Sequence, residues 1–278
     1  MAYEYALYEK KDRIAFVTIN RPRVMNAVSF AANTELFHIW TDFMEDPEVW
    51  TAILTGAGDR AFCAGSDIKA MASMTEEQKA MTDLERDAND SLVQAGGMVH
   101  RELWKPIIAA VNGYCLGAGL EIAMACDLVI ASETASFGMP EIRNVGSYPG
   151  SGGIHFLPRH IPRKIATQML LTGESISAEE ALRLGLINKV VPPAQLMPEA
   201  IALADRINEH SPVAVRVVKE MITKSLDLPL EYPAKEGQRA WDLYDTVGSK
   251  KLRQSEDWKS GEGPRAFVEK RKPVWKGR

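Results

Sequence analysis

Short apolar runs alternate with amphipathic stretches along the first two thirds of the chain. Four of the runs predict buried strands, at residues 14–19, 51–55, 107–111 and 128–130. Between the second and third runs, a capping box opens and apolar side chains then recur every three or four residues, which predicts a helix over residues 75–95. Strands that alternate with helices in this way are typical of an α/β fold.

Two further helices carry clear end signals. Ser177 opens a second capping box, and the helix that follows it is expected to end at Gly185. Ser211 caps another predicted helix, which has Pro212 in its first turn, where the missing amide hydrogen costs nothing.

Strand signals vanish after the two prolines at positions 192 and 193, and helix signals dominate from there on. Besides the helix capped by Ser211, the pattern predicts helices over residues 195–209 and 235–244. This change of character places a boundary near residue 195, between a core of residues 1–195 and a helical module of residues 196–278.

The composition is that of a soluble globular chain. Its 278 residues are 46% hydrophobic and 25% charged, which excludes disorder, a collagen repeat and a disulfide scaffold. The 33 Lys and Arg residues against 37 Asp and Glu residues give a net charge of -4, so no overall positive field attracts nucleic acid. Three cysteines fit a reducing cytosol, and neither a signal peptide nor a membrane-spanning apolar run is visible. We therefore expect a cytoplasmic protein without nucleic-acid or membrane partners.

A glycine-rich stretch over residues 112–127 is the first candidate for chemistry. It follows a predicted strand as a turn and a short helix, which is apolar on nearly every face except at Glu121. An ionisable side chain is costly to bury unless it is paired or used, so Glu121 is a candidate acid or base. The alternative is a carboxylate that the helix dipole favours near a helix start. The amides of Ala118 and Gly119 point toward the same space, where they could hold an oxyanion.

Two further segments place polar groups beside glycines. Gly65–Ser66 is a tight turn that exposes a backbone amide, and by itself such a turn is usually only structural. Glu141 adds a second carboxylate in a loop, just before another glycine-rich stretch over residues 146–153.

Three other patterns partly match known functional motifs, but each lacks a feature that the motif requires. Gly56-x-Gly58 resembles a dinucleotide fingerprint, but the helix and the acidic residue that complete that fingerprint are missing. Ser151 lies among glycines, yet proline at position 149 breaks the frame of a nucleophilic serine. His155 and His160 have no acidic partner at ligand spacing, so we expect no metal site.

Several segments taken together resemble the enoyl-CoA hydratase (crotonase) superfamily nearly end to end. They occur in the family's order, at residues 20–27, 61–69, 106–127, 137–141, 171–173, 178–185 and 263–272. The resemblance implies an α/β fold, a spiral of ββα repeats with a C-terminal all-α module that forms trimers, which usually pair into hexamers. It also implies an acyl-CoA substrate, so that coenzyme A arrives as part of the thioester and no separate cofactor is required.

The resemblance assigns the reacting groups by motif position. The family's oxyanion hole, made of two backbone amides, falls on Ser66 and Ala118. Glu121 and Glu141 match the two hydratase glutamates, one of which isomerases and hydrolases often lack. The implied reaction is hydration of a 2-enoyl-CoA, a lyase reaction of fatty acid metabolism. In it, Glu121 deprotonates the water that attacks C3 and Glu141 protonates C2.

The resemblance also gives a role to the basic tail, residues 264–278. Family residues that match Phe267 and Lys270 reach the acyl pocket and the CoA phosphates, often from a neighbouring subunit. The alternative for this tail is a solvated surface segment. The full set of positions matched to substrate or CoA contacts is Arg23, Ala27, Ala64, Asp67, Ile68, Lys69, Gly117, Pro140, Tyr148, Gly150, Phe267 and Lys270.

One departure from the family lies beside the second carboxylate. Seven residues separate Glu141 from Pro149, one more than in the common hydratase loop. The longer segment brings polar or bulky groups near the reacting carbons, at Asn144, Ser147 and Tyr148. The sequence therefore leaves open which acyl group the substrate carries.

Three alternatives to a plain enoyl-CoA hydratase remain. The ending, residues 263–278, resembles bacterial carnitinyl-CoA dehydratases, which favours a related enzyme of a polar acyl-CoA. Isomerisation or thioester hydrolysis on the same fold is the second alternative. RNA binding is the third, and the net charge disfavours it.

Overall fold

Two β-sheets form the centre of the computed structural model, which describes residues 3–73, 75, 95–98, 102–226, 228 and 244–278. The strands are β1 (Ala6–Lys11), β2 (Ile14–Ile19), β3 (Thr51–Gly56), β4 (Ala61–Cys63), β5 (Ile107–Val111), β6 (Tyr114–Leu116), β7 (Leu128–Ser132), β8 (Ser136–Gly138), β9 (Ser175–Ser177) and β10 (Lys189–Val191). The larger sheet has the order β1-β2-β3-β5-β7-β10 and the smaller sheet the order β4-β6-β8-β9. Neighbouring strands are parallel except in the pairs β1–β2 and β8–β9.

Helices connect the strands and make up most of the described C-terminal part. They are α1 (Phe30–Glu45), α2 (Ile68–Ala72), α3 (Ala95–Met98), α4 (Ala118–Ala125), α5 (Glu141–Asn144), α6 (Gly153–His160), α7 (Arg163–Thr172), α8 (Ala178–Leu184), α9 (Leu196–Asn208), α10 (Pro212–Ser225), α11 (Lys250–Gln254), α12 (Glu256–Lys259) and α13 (Glu262–Glu269). None of the helices in the described ranges has the length and apolar character that crossing a bilayer requires.

The chain repeats a unit of two strands and a helix. In the units β3-β4-α2, β5-β6-α4 and β7-β8-α5, the first strand joins the larger sheet and the second joins the smaller sheet. The chain therefore winds as a spiral between two sheets, as the ββα prediction requires.

Both faces of the larger sheet are buried, which explains why its parallel strands are almost wholly apolar. Successive side chains of a strand point to opposite faces. Leu54 and Ala109 belong to one hydrophobic cluster with Trp40 and Phe43 of α1. Ile53, on the other face, belongs to a second cluster that α9 completes.

The strand predictions are confirmed by β2, β3, β5 and β7, two of which run one or two residues further than predicted. The predicted helices over residues 75–95 and 235–244 fall almost wholly outside the described residues. The helix predicted over residues 195–209 is confirmed by α9, within one residue at each end.

Both serine caps act as predicted. The Ser177 hydroxyl accepts the Glu180 amide at 3.2 Å, and α8 ends at Gly185, whose φ is +80°. Ser211 accepts the Ala214 amide at 3.4 Å and begins α10. These helix ends are set by local chemistry, which is why the sequence reveals them.

The last eight residues, 271–278, form a segment that we call the C-terminal strap. Asp257 is 4% exposed, and its carboxylate accepts the amides of Lys276 at 2.7 Å and Gly277 at 3.1 Å. Arg216 of α10 donates to the Gly277 carbonyl at 2.7 Å, and Arg271 pairs with Glu262 at 2.6 Å. The strap is therefore bound to the helices and is not a freely solvated tail.

Candidate active site

Three parallel strands of the smaller sheet end at the same edge, and a turn follows each of them. Ser66 comes after β4, Ala118 and Glu121 come after β6, and Glu141 comes after β8. Because the strands are neighbours, these turns converge on a cavity of about 460 Å³. Its lining residues are Ser66, Ile68, Met71, Ala72, Ala118, Glu121, Glu141, Val145, Ser147, Tyr148, Gly150 and Ser151.

Ser66 and Ala118 both line this cavity, and their backbone amides are the candidate donors to a bound oxygen. Ala118 is the first residue of α4, so its amide has no carbonyl partner within the helix. At the β4 turn, the Gly65 carbonyl accepts the Val28 amide and the Asp67 amide donates to the Val28 carbonyl, which leaves the Ser66 amide out of this pairing. Within the described part of the chain, neither amide donates to a protein acceptor. Two such donors side by side suit an oxygen that gains negative charge.

Asp67 fixes the turn that carries the Ser66 amide. Its Oδ1 accepts the Ala70 amide at 3.0 Å, and its Oδ2 accepts from the Arg21 guanidinium at 2.8 Å. Although burial acts to raise the pKa of Asp67, the hydrogen bonds from Ala70 and Arg21 lower it below its usual range. Sequence motifs do not predict this ion pair, because Arg21 and Asp67 are distant in sequence and no local pattern links them.

Glu121 is the more deeply buried of the two carboxylates, at 2% exposure. Its Oε1 accepts the Gly153 amide at 2.8 Å, and Ser151 donates to the same carboxylate. Burial raises the pKa of Glu121 to about 7, and the nearby Glu141 adds to the rise, while the hydrogen bonds oppose it. A carboxyl group with such a pKa can take up or release a proton near neutral pH.

Glu141 begins α5 and faces the same cavity. Its Oε2 is buried and has no hydrogen-bond partner among the described residues. Burial raises the pKa of Glu141 above its usual value. Since Glu141 also raises the pKa of Glu121, an ionised Glu141 makes the ionisation of Glu121 less favourable.

The other predicted contact residues divide into three groups. Ile68, Tyr148 and Gly150 line the cavity directly. The second group neighbours Ser66, Ala118 and Glu141 in the chain or, for Ala27, precedes Val28, which pairs with the β4 turn. It consists of Ala27, Ala64, Asp67, Gly117 and Pro140. The third group is exposed and does not belong to the lining, and it consists of Arg23, Lys69, Phe267 and Lys270.

Of the residues in the longer segment, Ser147 and Tyr148 line the cavity, whereas Asn144 accepts from the neighbouring Arg143 at 3.3 Å. Three lining residues had no sequence signal, namely Met71, Ala72 and Val145. From the sequence, Ser151 is a candidate only for a nucleophile, whereas in the structure it is a hydrogen-bond donor to Glu121.

The chain folds as a two-sheet spiral, and two unpaired amides and two carboxylates belong to residues that line one cavity. This combination places the chain among the crotonase-fold enzymes. It belongs to the Enoyl-CoA hydratase/isomerase family, which it matches over residues 9–278. The sequence resemblance is thus confirmed over almost the whole chain.

Named relatives narrow the class of reaction. The chain is 43% identical over 269 residues to (E)-benzylidenesuccinyl-CoA hydratase of Thauera aromatica, covering 97% of this chain and 98% of that protein. It is 40% identical over 266 residues to carnitinyl-CoA dehydratase of Proteus mirabilis, covering 94% of each. The crystal structure of an enoyl-CoA hydratase from Bacillus anthracis superposes with a TM-score of 0.85 at 35% identity, covering 99% of this chain and 100% of that one. The protein is a hydratase or dehydratase that acts on an acyl-CoA thioester.

Proposed function

We propose that the protein is an enoyl-CoA hydratase, which adds water reversibly across the 2,3 double bond of an acyl-CoA thioester. The observation that carries the proposal is the meeting of Glu121 and Glu141 with the free amides of Ser66 and Ala118 around one cavity. Hydration needs a base for water, an acid for carbon and a site for the enolate oxygen, and this cavity offers all three.

The reaction proceeds through an enolate. The thioester oxygen accepts hydrogen bonds from Ser66 and Ala118, while Glu121 removes a proton from water as the oxygen of that water bonds to C3. The electrons of the double bond move onto the thioester oxygen, and Glu141 then protonates C2 as the carbonyl re-forms. One oxyanion-hole donor contributes about 3 to 4 kcal/mol in other enzymes, and each acid or base typically contributes about 10² to 10⁴ in rate.

A second candidate is the same chemistry on a polar or bulky acyl group. Ser147 and Tyr148 of the longer segment line the cavity, which supports a pocket shaped for more than a short straight chain. The names of the relatives from Thauera aromatica and Proteus mirabilis point the same way.

We further propose that the chain works as a trimer or a hexamer, with residues 1–195 as the catalytic core and residues 196–278 as the assembly module. Phe267 is 85% exposed and lies outside the cavity of its own chain, as expected of a residue that serves a neighbouring subunit. Val218, Ile222 and Leu226 leave exposed apolar side chains along one face of α10 and just beyond its end, a surface suited to a subunit contact. Sedimentation of the purified protein tests the assembly, and a monomer would refute it.

A substrate panel tests the activity. It contains crotonyl-CoA, longer 2-enoyl-CoAs, crotonobetainyl-CoA and (E)-benzylidenesuccinyl-CoA, with products identified by mass spectrometry. Glu121→Gln and Glu141→Gln should each lower turnover by orders of magnitude while acyl-CoA binding persists. Near-normal hydration by Glu121→Gln, or products with a migrated double bond or free CoA, would refute the assignment.

A further inference from the structure

The two carboxylates of the site differ in the groups that donate to them. Glu121 accepts the Gly153 amide at 2.8 Å, and both the amide and the hydroxyl of Ser151 also donate to it. Glu141 keeps a buried Oε2 without a partner in the described part of the chain. The segment of residues 149–153 therefore holds one carboxylate in place and leaves the other to the substrate.

This segment has little room to move. A Cβ on Gly153 would lie 2.7 Å from the Pro149 Cβ, 2.8 Å from the Met139 Cε and 3.2 Å from the Glu121 Oε1. Pro149 and Gly153 are both buried. Because close contacts fix the backbone on either side, the Ser151 side chain starts from a defined point next to Glu121.

We infer that Ser151 is a positioning residue whose hydroxyl holds the Glu121 carboxylate in the orientation that the reacting water requires. The inference rests on the proposed hydration. A hydroxyl has one hydrogen to donate and two lone pairs, so Ser151 can donate to Glu121 and keep its lone pairs available to the reacting water. A hydrogen bond to the ionised form also favours that form, which opposes the effect of burial on Glu121.

Other titratable groups around Glu121 are accounted for. Glu141 acts on it across the cavity. On the sheet side of α4, burial raises the pKa of Cys63 to about 12 and that of Cys115 well above its usual value, so both thiols stay neutral. On α6, which packs against α4, His155 is exposed. A substitution at Ser151 leaves all of these groups in place.

The test compares Ser151→Ala with Ser151→Thr in the full-length protein. Ser151→Ala should lower kcat about tenfold while KM stays within about twofold, since the substrate still binds but the base is misaligned. The acid limb of the kcat/KM profile should move up by about 0.5 to 1 pH unit. Ser151→Thr keeps the hydroxyl and should restore both values. Ser260→Ala removes a hydroxyl that donates to the Asp257 carbonyl away from the cavity, and it should behave as wild type.

Two results would overturn the inference: wild-type kcat with an unmoved acid limb in Ser151→Ala, or an equal defect in the alanine and threonine variants. Failure of the proposed hydration looks different, because wild-type protein would then convert none of the enoyl-CoAs. The titration of the Glu121 carboxyl carbon by NMR requires no turnover. It should move up by the same amount in Ser151→Ala, and an unmoved titration overturns the inference for any substrate.

Discussion

Gly117 precedes α4, where its carbonyl accepts the Glu121 amide at 3.1 Å, and a methyl group at this position tests the geometry of the proposed site. Its backbone angles, φ 54° and ψ -124°, belong to a region that residues with a Cβ rarely adopt. A Cβ at this position would lie 2.8 Å from the Oε1 of Glu141 and 3.7 Å from the Cα of Gly65. Gly117→Ala therefore strains the turn before α4 and pushes on the proposed acid.

The two effects have different sizes. The unfavourable backbone angles cost about 1 to 3 kcal/mol of stability. The clash itself is relieved cheaply, because the Glu141 carboxylate is the end of a flexible side chain and need only retreat by about 0.6 Å, from 2.8 Å to an ordinary 3.4 Å contact. A misplacement of about 1 Å can lower turnover by about 10²-fold, so a shift of about 0.6 Å is expected to lower it by about tenfold or more. We expect a large loss of kcat with a modest loss of stability.

Gly185→Ala is the matched control, because Gly185 also has a positive φ, +80°, and a Cβ there meets nothing within 4 Å. Urea denaturation should show a loss of about 1 to 2 kcal/mol in the control, comparable to that in Gly117→Ala. The decay of enoyl-thioester absorbance should show normal turnover in Gly185→Ala alone. Turnover in Gly117→Ala within twofold of wild type would refute the placement of Glu141 as the acid.

Three further predictions concern stability. Asp67→Asn keeps the cap of α2 but breaks the ion pair with Arg21, so urea denaturation should show a loss of about 1 to 3 kcal/mol in the free energy of unfolding. The value of kcat/KM should also fall, because Asp67 fixes the turn that carries the Ser66 amide. Unchanged values would contradict this role of Asp67. Folding raises the pKa of Glu121 from 4.5 to about 7, so its contribution to stability is complete below pH 4.5 and is lost as the pH rises through 7. The free energy of unfolding of Glu121→Gln, relative to that of wild type, should therefore be higher at pH 8 than at pH 4 by up to about 3 kcal/mol. A difference between the two proteins that does not change with pH would count against this titration. Asp257→Ala leaves two amides of the C-terminal strap unpaired, so their hydrogen exchange should accelerate. Glu199→Ala removes an acid that pairs with Lys189 outside the strap, so it should leave this exchange unchanged, and equal exchange in both variants would argue against the strap contacts.

The sequence predicted those parts of the fold that local chemistry determines. Buried parallel strands such as β3 and β5 appear as apolar runs, and serine caps mark where α8 and α10 begin. The strands β4, β6, β8 and β9 have three residues each, too few for an alternation to show, so the smaller sheet followed only from the family resemblance. Glu121 was found because it is a lone charge on an apolar helix. The Arg21–Asp67 pair and the hydrogen bonds of Ser151 to Glu121 depend on which turns the sheet brings together, and no local pattern encodes that.

At the edge of the smaller sheet, the groups that the proposed reaction requires lie in different parts of the chain from the residues that can vary. β4, β6 and β8 are parallel neighbours, so the turns after them meet. In the proposed mechanism, the groups of those turns that bind the thioester oxygen are backbone amides. Their positions depend on backbone shape, which many side chains permit, so the ability to stabilise an enolate survives wide sequence change. In the proposed mechanism, the choice of reaction depends on the side chains of Glu121 and Glu141, which follow β6 and β8. The residues from 142 to 148 have no strand partner to fix their length, and they contribute Val145, Ser147 and Tyr148 to the cavity. Selection of the acyl group is therefore expected to reside in this segment, where an insertion leaves the amides and carboxylates in place.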